Sequence, residues 1–155
     1  MIRSAFGLSL LFGMGMMMIG CGDDGDSGGG ECDAGQVLCD GVCIDAIEPT
    51  LASIQTGVFN VSCAASACHD ASLPQSGLDL SSLSASEAGL INVASVQVPS
   101  LDRVEPGDSS ASYLMNKILG VDIQPPFLQM PIGGMLCDAK IDVIEQWIDD
   151  GAPIQ

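Results

Sequence analysis

The chain has 155 residues, with 4 basic and 20 acidic side chains, 7 cysteines and one histidine. One domain of ordinary size fits this length. The formal charge of −16 argues against nucleic acid as a partner, because almost no basic side chain is available to neutralise phosphates. It argues equally against docking on anionic lipid through a basic face, and it favours a neutral or basic partner.

Residues 1–20 have the pattern of a targeting segment. Arg3 is followed by an apolar run rich in leucine, phenylalanine and methionine, which predicts a signal peptide rather than a core helix. The run is too short and ends too early for a membrane span. Met18-Ile19-Gly20-Cys21 resembles a bacterial lipobox, and the resemblance implies cleavage before Cys21 and its lipidation. The alternative is an ordinary secretory signal with an incidental cysteine.

Two short segments are expected before the main domain. After cleavage the chain keeps 3 basic and 20 acidic side chains, a net charge of 3 − 20 = −17. Residues 21–31 are acidic and glycine-rich and predict a flexible tether. Residues 32–47 contain Cys32, Cys39 and Cys43 around the turn-forming pair Asp40-Gly41, which predicts a small segment stapled by disulfides.

Residues 48–155 are expected to form an all-α domain of about four short helices with long loops. No alternating pattern is long enough to predict a sheet. Gly120 and Gly151 suit the ends of the third and fourth helices. The first predicted helix has an apolar face at Leu51, Ile54, Val58 and Val61, and the second begins with a capping box at Ser84 and Glu87. The third follows the cap Asp108 and has an apolar face at Ala111, Leu114, Met115 and Ile118. The fourth has an apolar stripe at Ile141, Ile144 and Ile148.

Short helices with few aromatic side chains rarely bury enough surface to offset chain entropy. A cofactor or disulfides are therefore expected to complete the core. Phe59 and Trp147 are expected to be structural.

The segment Cys63-Ala-Ala-Ser-Ala-Cys68-His69 places the only histidine directly after a cysteine. Two cysteines followed by histidine is the pattern for covalent haem attachment, in which each thiol adds to a vinyl group and the imidazole ligates the iron. The usual spacing has two residues between the cysteines, and here there are four, all small. A Cys63–Cys68 disulfide with a surface His69 is the alternative. Structural zinc is weaker still, because paired ligand spacing is absent.

The order of short motifs from Val58 to Ala152 resembles the small c-type cytochrome domains of exported bacterial proteins. The matching pieces include Cys68-His69-Asp70, Met130-Pro131 before Gly133-Gly134, and the stretch from Ile144 to Ala152. The resemblance implies covalent haem c on Cys63 and Cys68. It also implies His69 and Met130 as the axial ligands of the haem iron.

Local chemistry independently favours Met130 as a ligand. Pro131 disfavours the α conformation for the residue before it, so a thioether on this loop can reach across to an iron. Met115 sits at core spacing on a helix, whereas Met135 is the competitor for the ligand role. Arg103 is either a haem propionate partner or, more in keeping with its type, a solvated surface arginine.

Cys137 stands where the resembling domains commonly have a helix-capping serine. Asp138 could take over the cap. Cys137 is then expected to pair with one of Cys32, Cys39 and Cys43 and to pin the Cys-rich segment onto the domain.

These observations predict a single-haem electron carrier in the cell envelope, periplasm-facing or on the outer membrane. The membrane would hold it only by the lipid on Cys21, and the acidic surface would steer it to a redox partner with a basic face. The alternative is a haem-free structural or binding lipoprotein stapled by disulfides. An enzyme is not expected, because the sequence offers no nucleophile–base set, no second histidine and no phosphate loop.

Overall fold

The computed structural model describes residues 31–155. The predicted signal peptide, the lipidation site Cys21 and the tether up to residue 30 lie outside the described residues. Within the described part, no helix is both long and apolar enough to cross a membrane.

The chain begins with a hairpin and continues through helical segments joined by long connections. A short α-helix α1 continues without a break as a π-helix, and two single 3₁₀ turns lie in the connections. The elements are β1 (Gln36–Cys39), β2 (Val42–Asp45), α1 (Leu51–Ile54), the π-helix (Gln55–Cys63), a 3₁₀ turn (Gln75–Gly77), α2 (Leu83–Leu90), a 3₁₀ turn (Ser109–Ala111), α3 (Tyr113–Leu119) and α4 (Asp138–Asp149).

The Cys-rich segment folds as an antiparallel hairpin. Strands β1 and β2 pair with Cys39 opposite Val42, and the two turn residues Asp40 and Gly41 both have positive φ, 50° and 84°. An Asp-Gly pair with positive φ at both positions is typical of the two-residue turn that matches the twist of a hairpin. The turn was expected from the sequence, but the strands flanking it were not.

The expectation of an all-α, cytochrome c-like domain is therefore wrong as a fold class. Only 37% of the described residues are helical, and 10% lie in strands or isolated bridges. Beyond the hairpin, isolated bridges join Ile91 to Val104 and Asp102 to Ser112. These backbone pairs satisfy hydrogen bonds in connections that the helix pattern leaves unassigned, and the fold is mixed rather than all-α.

The first helix begins as expected but changes its winding. The Thr50 side chain accepts a hydrogen bond from the backbone N–H of Ser53 at 3.3 Å, which caps α1. From Gln55 the backbone winds as a π-helix, which has more residues per turn than the α-helix. Consequently Phe59 is buried, whereas Val61, expected on the apolar face, is 67% exposed.

The caps of the later helices also differ in position from those expected. The side chain of Ser82, not Ser84, caps α2. Asp108 caps the short 3₁₀ turn at 3.0 Å from the Ala111 N–H, and α3 begins only at Tyr113. Gly120 ends α3 as expected, with φ of 74°. Asp138 lies in the first turn of α4 rather than at its cap, which is Cys137.

Trp147 of α4 lies at the centre of the core and is fully buried together with Ile144, Ile148 and Phe59. The Trp147 indole N–H donates to the Pro153 carbonyl at 2.9 Å, and the same carbonyl accepts from the N–H of Leu51. The C-terminal segment thereby satisfies a free donor at the start of α1 and links the first helix to the last.

Two disulfides link the hairpin internally and to the rest of the protein. Cys32 pairs with Cys43, and Cys39 pairs with Cys137. The expectation that Cys137 pins the Cys-rich segment onto the domain is confirmed. Cys63 and Cys68 stay as free thiols.

Removing the Cys39–Cys137 link should destabilise the protein more than removing the Cys32–Cys43 link. The closed loops differ in length, with sequence separations of 98 and 11 residues. Loop-closure entropy then predicts losses of roughly 5 and roughly 3 kcal/mol in the free energy of unfolding. Denaturant unfolding of the two double cysteine-to-alanine variants measures both values. Equal losses, or the opposite order, would contradict this assignment of the long-range link.

Candidate functional site

The π-helix ends at Cys63, and the chain then closes a tight loop that brings His69 back beside it. The Ala64 N–H donates to the Phe59 carbonyl at 2.8 Å, and the His69 N–H donates to the Cys63 carbonyl at 3.2 Å. Residues 65–68 between them are exposed, and Ala67 has φ of 66°. The two additional residues of the widened spacing therefore bulge into solvent.

The imidazole of His69 is oriented by a backbone carbonyl. Its Nδ1 lies 3.0 Å from the Leu78 carbonyl oxygen. A carbonyl only accepts hydrogen bonds, so Nδ1 carries the proton and donates, which leaves the lone pair on Nε2. This is the arrangement in which a second hydrogen bond fixes the tautomer and orientation of a metal-binding histidine.

The segment that holds His69 is itself anchored in the core. The Leu80 N–H donates to the His69 carbonyl at 2.8 Å, and the Leu80 carbonyl accepts from the buried Gln55 amide at 2.7 Å. The Oε1 oxygen of the same Gln55 amide accepts a hydrogen bond from the Ser86 hydroxyl at 2.6 Å. Because each of these polar groups is paired while buried, the network is rigid and costly to rearrange.

Met130 lies on a loop that is fastened to the C-terminal end of α3. Its N–H donates to the Lys117 carbonyl at 2.8 Å, and the neighbouring Gln129 amide donates to the Ile118 carbonyl at 2.9 Å. The Lys117 ammonium donates to the Leu128 carbonyl. A Cβ on Gly120 would lie 2.8 Å from the Gln129 side chain, so the close approach of this loop requires glycine there as well as the positive φ.

The predicted haem residues line one cavity. Cys63, Cys68, His69 and Met130 all border a cavity of about 770 Å³, which we call the His69 cavity. Pockets of this size accommodate drug-sized or larger ligands. Met135 does not border it and is 74% exposed, whereas Met115 is buried in the core as expected.

Two cations border the same region. A smaller cavity shares Cys63, His69, Met130 and Lys117 with the His69 cavity and extends to Arg103. Arg103 is only 9% exposed and Lys117 only 8%, so the interpretation of Arg103 as a solvated surface arginine is wrong. Its guanidinium donates to the carbonyls of Gly89 and Ser76, each at 2.8 Å.

Burial lowers the pKa of both cations, because a charge loses hydration when it leaves water. Sequence reasoning missed Lys117 entirely. The sequence signal that could have found Lys117 is its position four residues after Tyr113 on α3, because this spacing places both side chains on one face of the helix.

The two free thiols differ in environment. Burial raises the pKa of the Cys63 thiol to about 11, and the nearby Cys68 raises it further while Lys140 lowers it. Cys68 is exposed. At neutral pH the Cys63 thiol is therefore protonated and a poor nucleophile in the folded protein.

The sulfur atoms of Cys63 and Cys68 and the ring nitrogens of His69 do not all lie within 4.8 Å of one another. Among the described residues, the group of three histidine, cysteine or carboxylate donors within 4.8 Å of one another is Cys39, Asp40 and Cys137. Two of these three form a disulfide. The structure thus offers no compact cysteine–histidine zinc site at residues 63–69, since such ligands must meet around a single ion.

Comparisons of the chain with protein-family models, with curated proteins and with solved structures found no match.

Alkylation of the haem-free protein should distinguish the two thiols. We expect iodoacetamide at pH 8 to modify Cys63 at least tenfold more slowly than Cys68, because the thiolate is the reactive form. The Cys63 rate should keep rising with pH from 7 to 9.5 without a plateau, since its pKa is about 11. Peptide mass spectrometry after timed quenching measures both rates. Equal rates would contradict the burial of Cys63, and no reaction at either thiol would indicate the Cys63–Cys68 disulfide instead.

Proposed function

We propose that this chain is a single-haem c-type cytochrome that carries electrons outside the cytoplasmic membrane, with the haem held by thioether bonds at Cys63 and Cys68. The observation that supports this most directly is the set of groups around the His69 cavity. Two free thiols, an imidazole with its Nδ1 already engaged and a thioether all border the same space.

The residues around the cavity fit the group they are proposed to hold. Both thiols remain available instead of forming a disulfide with each other. The His69 hydrogen bond to Leu78 leaves Nε2 free for an iron. Arg103 and Lys117 supply two buried positive charges, which suits the two propionate carboxylates of a haem, because charge-assisted hydrogen bonds are strong away from water.

Each residue has a distinct proposed task. A bound haem c supplies reversible one-electron oxidation and reduction of its iron. Cys63 and Cys68 would hold it covalently, and His69 and Met130 would ligate its iron. Methionine together with histidine favours a high reduction potential. The Met130 loop, fastened to α3 through Lys117 and Ile118, keeps the thioether beside the cavity and competes with water for that position.

We further propose that the lipid on Cys21 tethers the carrier to a membrane of the cell envelope.

The described residues contain 17 acidic and 3 basic side chains, and two of those three, Arg103 and Lys117, are buried. The exposed surface is thus strongly negative, which favours fast encounter with a basic partner and salt-dependent rates.

A haem-free structural or binding lipoprotein is the second candidate. It is favoured by the two disulfides and by the core around Trp147, which closes from protein side chains alone. The two functions differ in whether the thiols of Cys63 and Cys68 carry a cofactor.

The experiment that separates them is a visible absorption spectrum of the protein exported to a periplasm that assembles c-type haem. We expect a strong Soret band and sharp α and β bands on reduction with dithionite, retained after acid–acetone extraction. The His69→Ala variant should lose the low-spin spectrum, because no other histidine exists in the chain. A colourless wild-type protein from cells that mature a control cytochrome would favour the second candidate.

Met130 and Met135 lie on the same loop and provide a matched pair of variants for testing which methionine would ligate the iron. Met130→Ala should keep the attached haem, lower its reduction potential and let carbon monoxide bind the reduced iron, because the thioether ligand is gone. Met135→Ala should leave all three properties unchanged, since Met135 does not border the His69 cavity. Absorption spectra and redox titrations measure these changes. An unaltered Met130→Ala protein would show that the distal assignment is wrong.

A further inference from the structure

The exposed apolar side chains of the described residues are concentrated near Met130. Eleven large hydrophobic residues are strongly exposed. Six of them lie between positions 119 and 135, a short part of the chain. The six are Leu119, Val121, Phe127, Leu128, Ile132 and Met135. Scattered exposed apolar residues need no explanation, but a contiguous group often marks an interaction surface.

Several of these side chains border a cleft beside the hairpin. The cleft has a volume of about 920 Å³ and is bordered by Leu128, Ile132 and Met135 on one side and by Leu38 of β1 on the other. We call it the hairpin cleft. The Cys39–Cys137 disulfide lies next to it and holds its two sides together.

The charges around the hairpin cleft are all negative. Asp40 and Asp138, both exposed, are the only ionisable side chains on its border, and no lysine or arginine lies there. An apolar floor with a carboxylate rim is complementary to an apolar side chain flanked by basic residues. A second copy of this chain would bring the same negative charge, and an anionic lipid surface would be repelled as well.

The hairpin cleft and the His69 cavity share part of their lining. Leu128, Pro131 and Ile132 border both spaces. A partner seated in the cleft would therefore contact the same loop that holds Met130, without displacing either disulfide.

We propose that the hairpin cleft docks a basic protein partner, which inserts an apolar side chain between Leu38 and Ile132 while its lysines or arginines face Asp40 and Asp138. The hairpin cleft would be the surface with which the proposed electron carrier binds its partner, and this purpose rests on the proposed function. The docking itself requires only the protein surface, so its test does not depend on haem.

The test uses a fluorescent peptide with three leucines between pairs of lysines, titrated with the mature protein and followed by anisotropy. A matched peptide with serines replacing the leucines reports the electrostatic part alone. We expect the leucine peptide to bind more tightly, and binding to weaken as salt rises. Absence of binding at low salt, or equal binding of the two peptides, would overturn the proposal.

Variants locate the site. The double variant Ile132→Ser, Met135→Ser should weaken binding of the leucine peptide about fivefold, because about one kilocalorie of apolar contact is lost. Asp40→Asn should weaken both peptides, and asparagine tolerates the positive φ of that position. The controls are Val61→Ser and Asp33→Asn, which alter exposed residues away from the cleft. Equal effects of the cleft and control variants would overturn the proposal.

Other occupants give distinguishable results. Sedimentation of the protein alone would reveal a dimer, and binding of the Cys21→Ser variant, which lacks the proposed lipid, to zwitterionic vesicles would reveal a lipid surface. If the Ile132→Ser, Met135→Ser variant abolished either of these and left peptide binding intact, the cleft would belong to that occupant and the proposal would be wrong. Haem content, read separately by absorption, decides the proposed function independently of these outcomes.

Discussion

The hydrogen bond between the His69 imidazole and the Leu78 carbonyl is the constraint around which the site is arranged. It sets which ring nitrogen carries the proton and where the other nitrogen lies. This hydrogen bond persists because the segment just after Leu78 is hydrogen-bonded to Gln55, and Gln55 is hydrogen-bonded to Ser86. All members of this buried network are paired. In the described part of the chain, no buried side-chain polar atom lacks a partner. Disturbing that network would leave buried groups unsatisfied, which is more costly than losing one ordinary hydrogen bond.

The Met130 loop, which also borders the cavity, is held by hydrogen bonds to α3 and by a nearby disulfide. This loop contains no regular element, and three hydrogen bonds fasten residues 128–130 to the end of α3. The Cys39–Cys137 disulfide then connects the start of α4, just beyond this loop, to the N-terminal hairpin. The His69 part of the site is therefore positioned by buried polar contacts, and the Met130 part by a disulfide and by hydrogen bonds from backbone and side chains to α3.

This division explains what the widened cysteine spacing changes. In the loop between Cys63 and Cys68 the additional residues are exposed, and the backbone still returns His69 to Cys63. The wider spacing therefore adds exposed residues, of which Ala65 and Ala67 also border the His69 cavity. The π-helix before Cys63 contributes as well, because its wider winding turns Phe59 inward and Val61 outward. Single π-helical turns are frequent at functional sites, and here the whole segment leading to the first cysteine adopts this form.

Residue type and local spacing predicted part of this arrangement. The four residues proposed to bind haem border one cavity, and the end of α3 at Gly120 follows from a left-handed glycine. The pairing of Cys137 with the Cys-rich segment was expected because Cys137 stands where the resembling domains commonly have a serine. The all-α fold class did not follow, because the Asp40-Gly41 turn was read without its flanking strands. The burial of Arg103 and Lys117 also escaped prediction. Their carbonyl partners at Gly89, Ser76 and Leu128 are distant in sequence or lie in loops, and no periodic pattern reports such contacts.

The central claim is that Cys63 and Cys68 carry a covalent haem, and a denaturing mass measurement tests it most directly. The exported mature protein would be unfolded in acid and weighed intact, and its peptide containing residues 63–69 would be weighed after digestion. The account predicts that both masses exceed the polypeptide values by one haem, with the addition on that peptide alone. An intact chain of polypeptide mass, with Cys63 and Cys68 joined to each other, would contradict it.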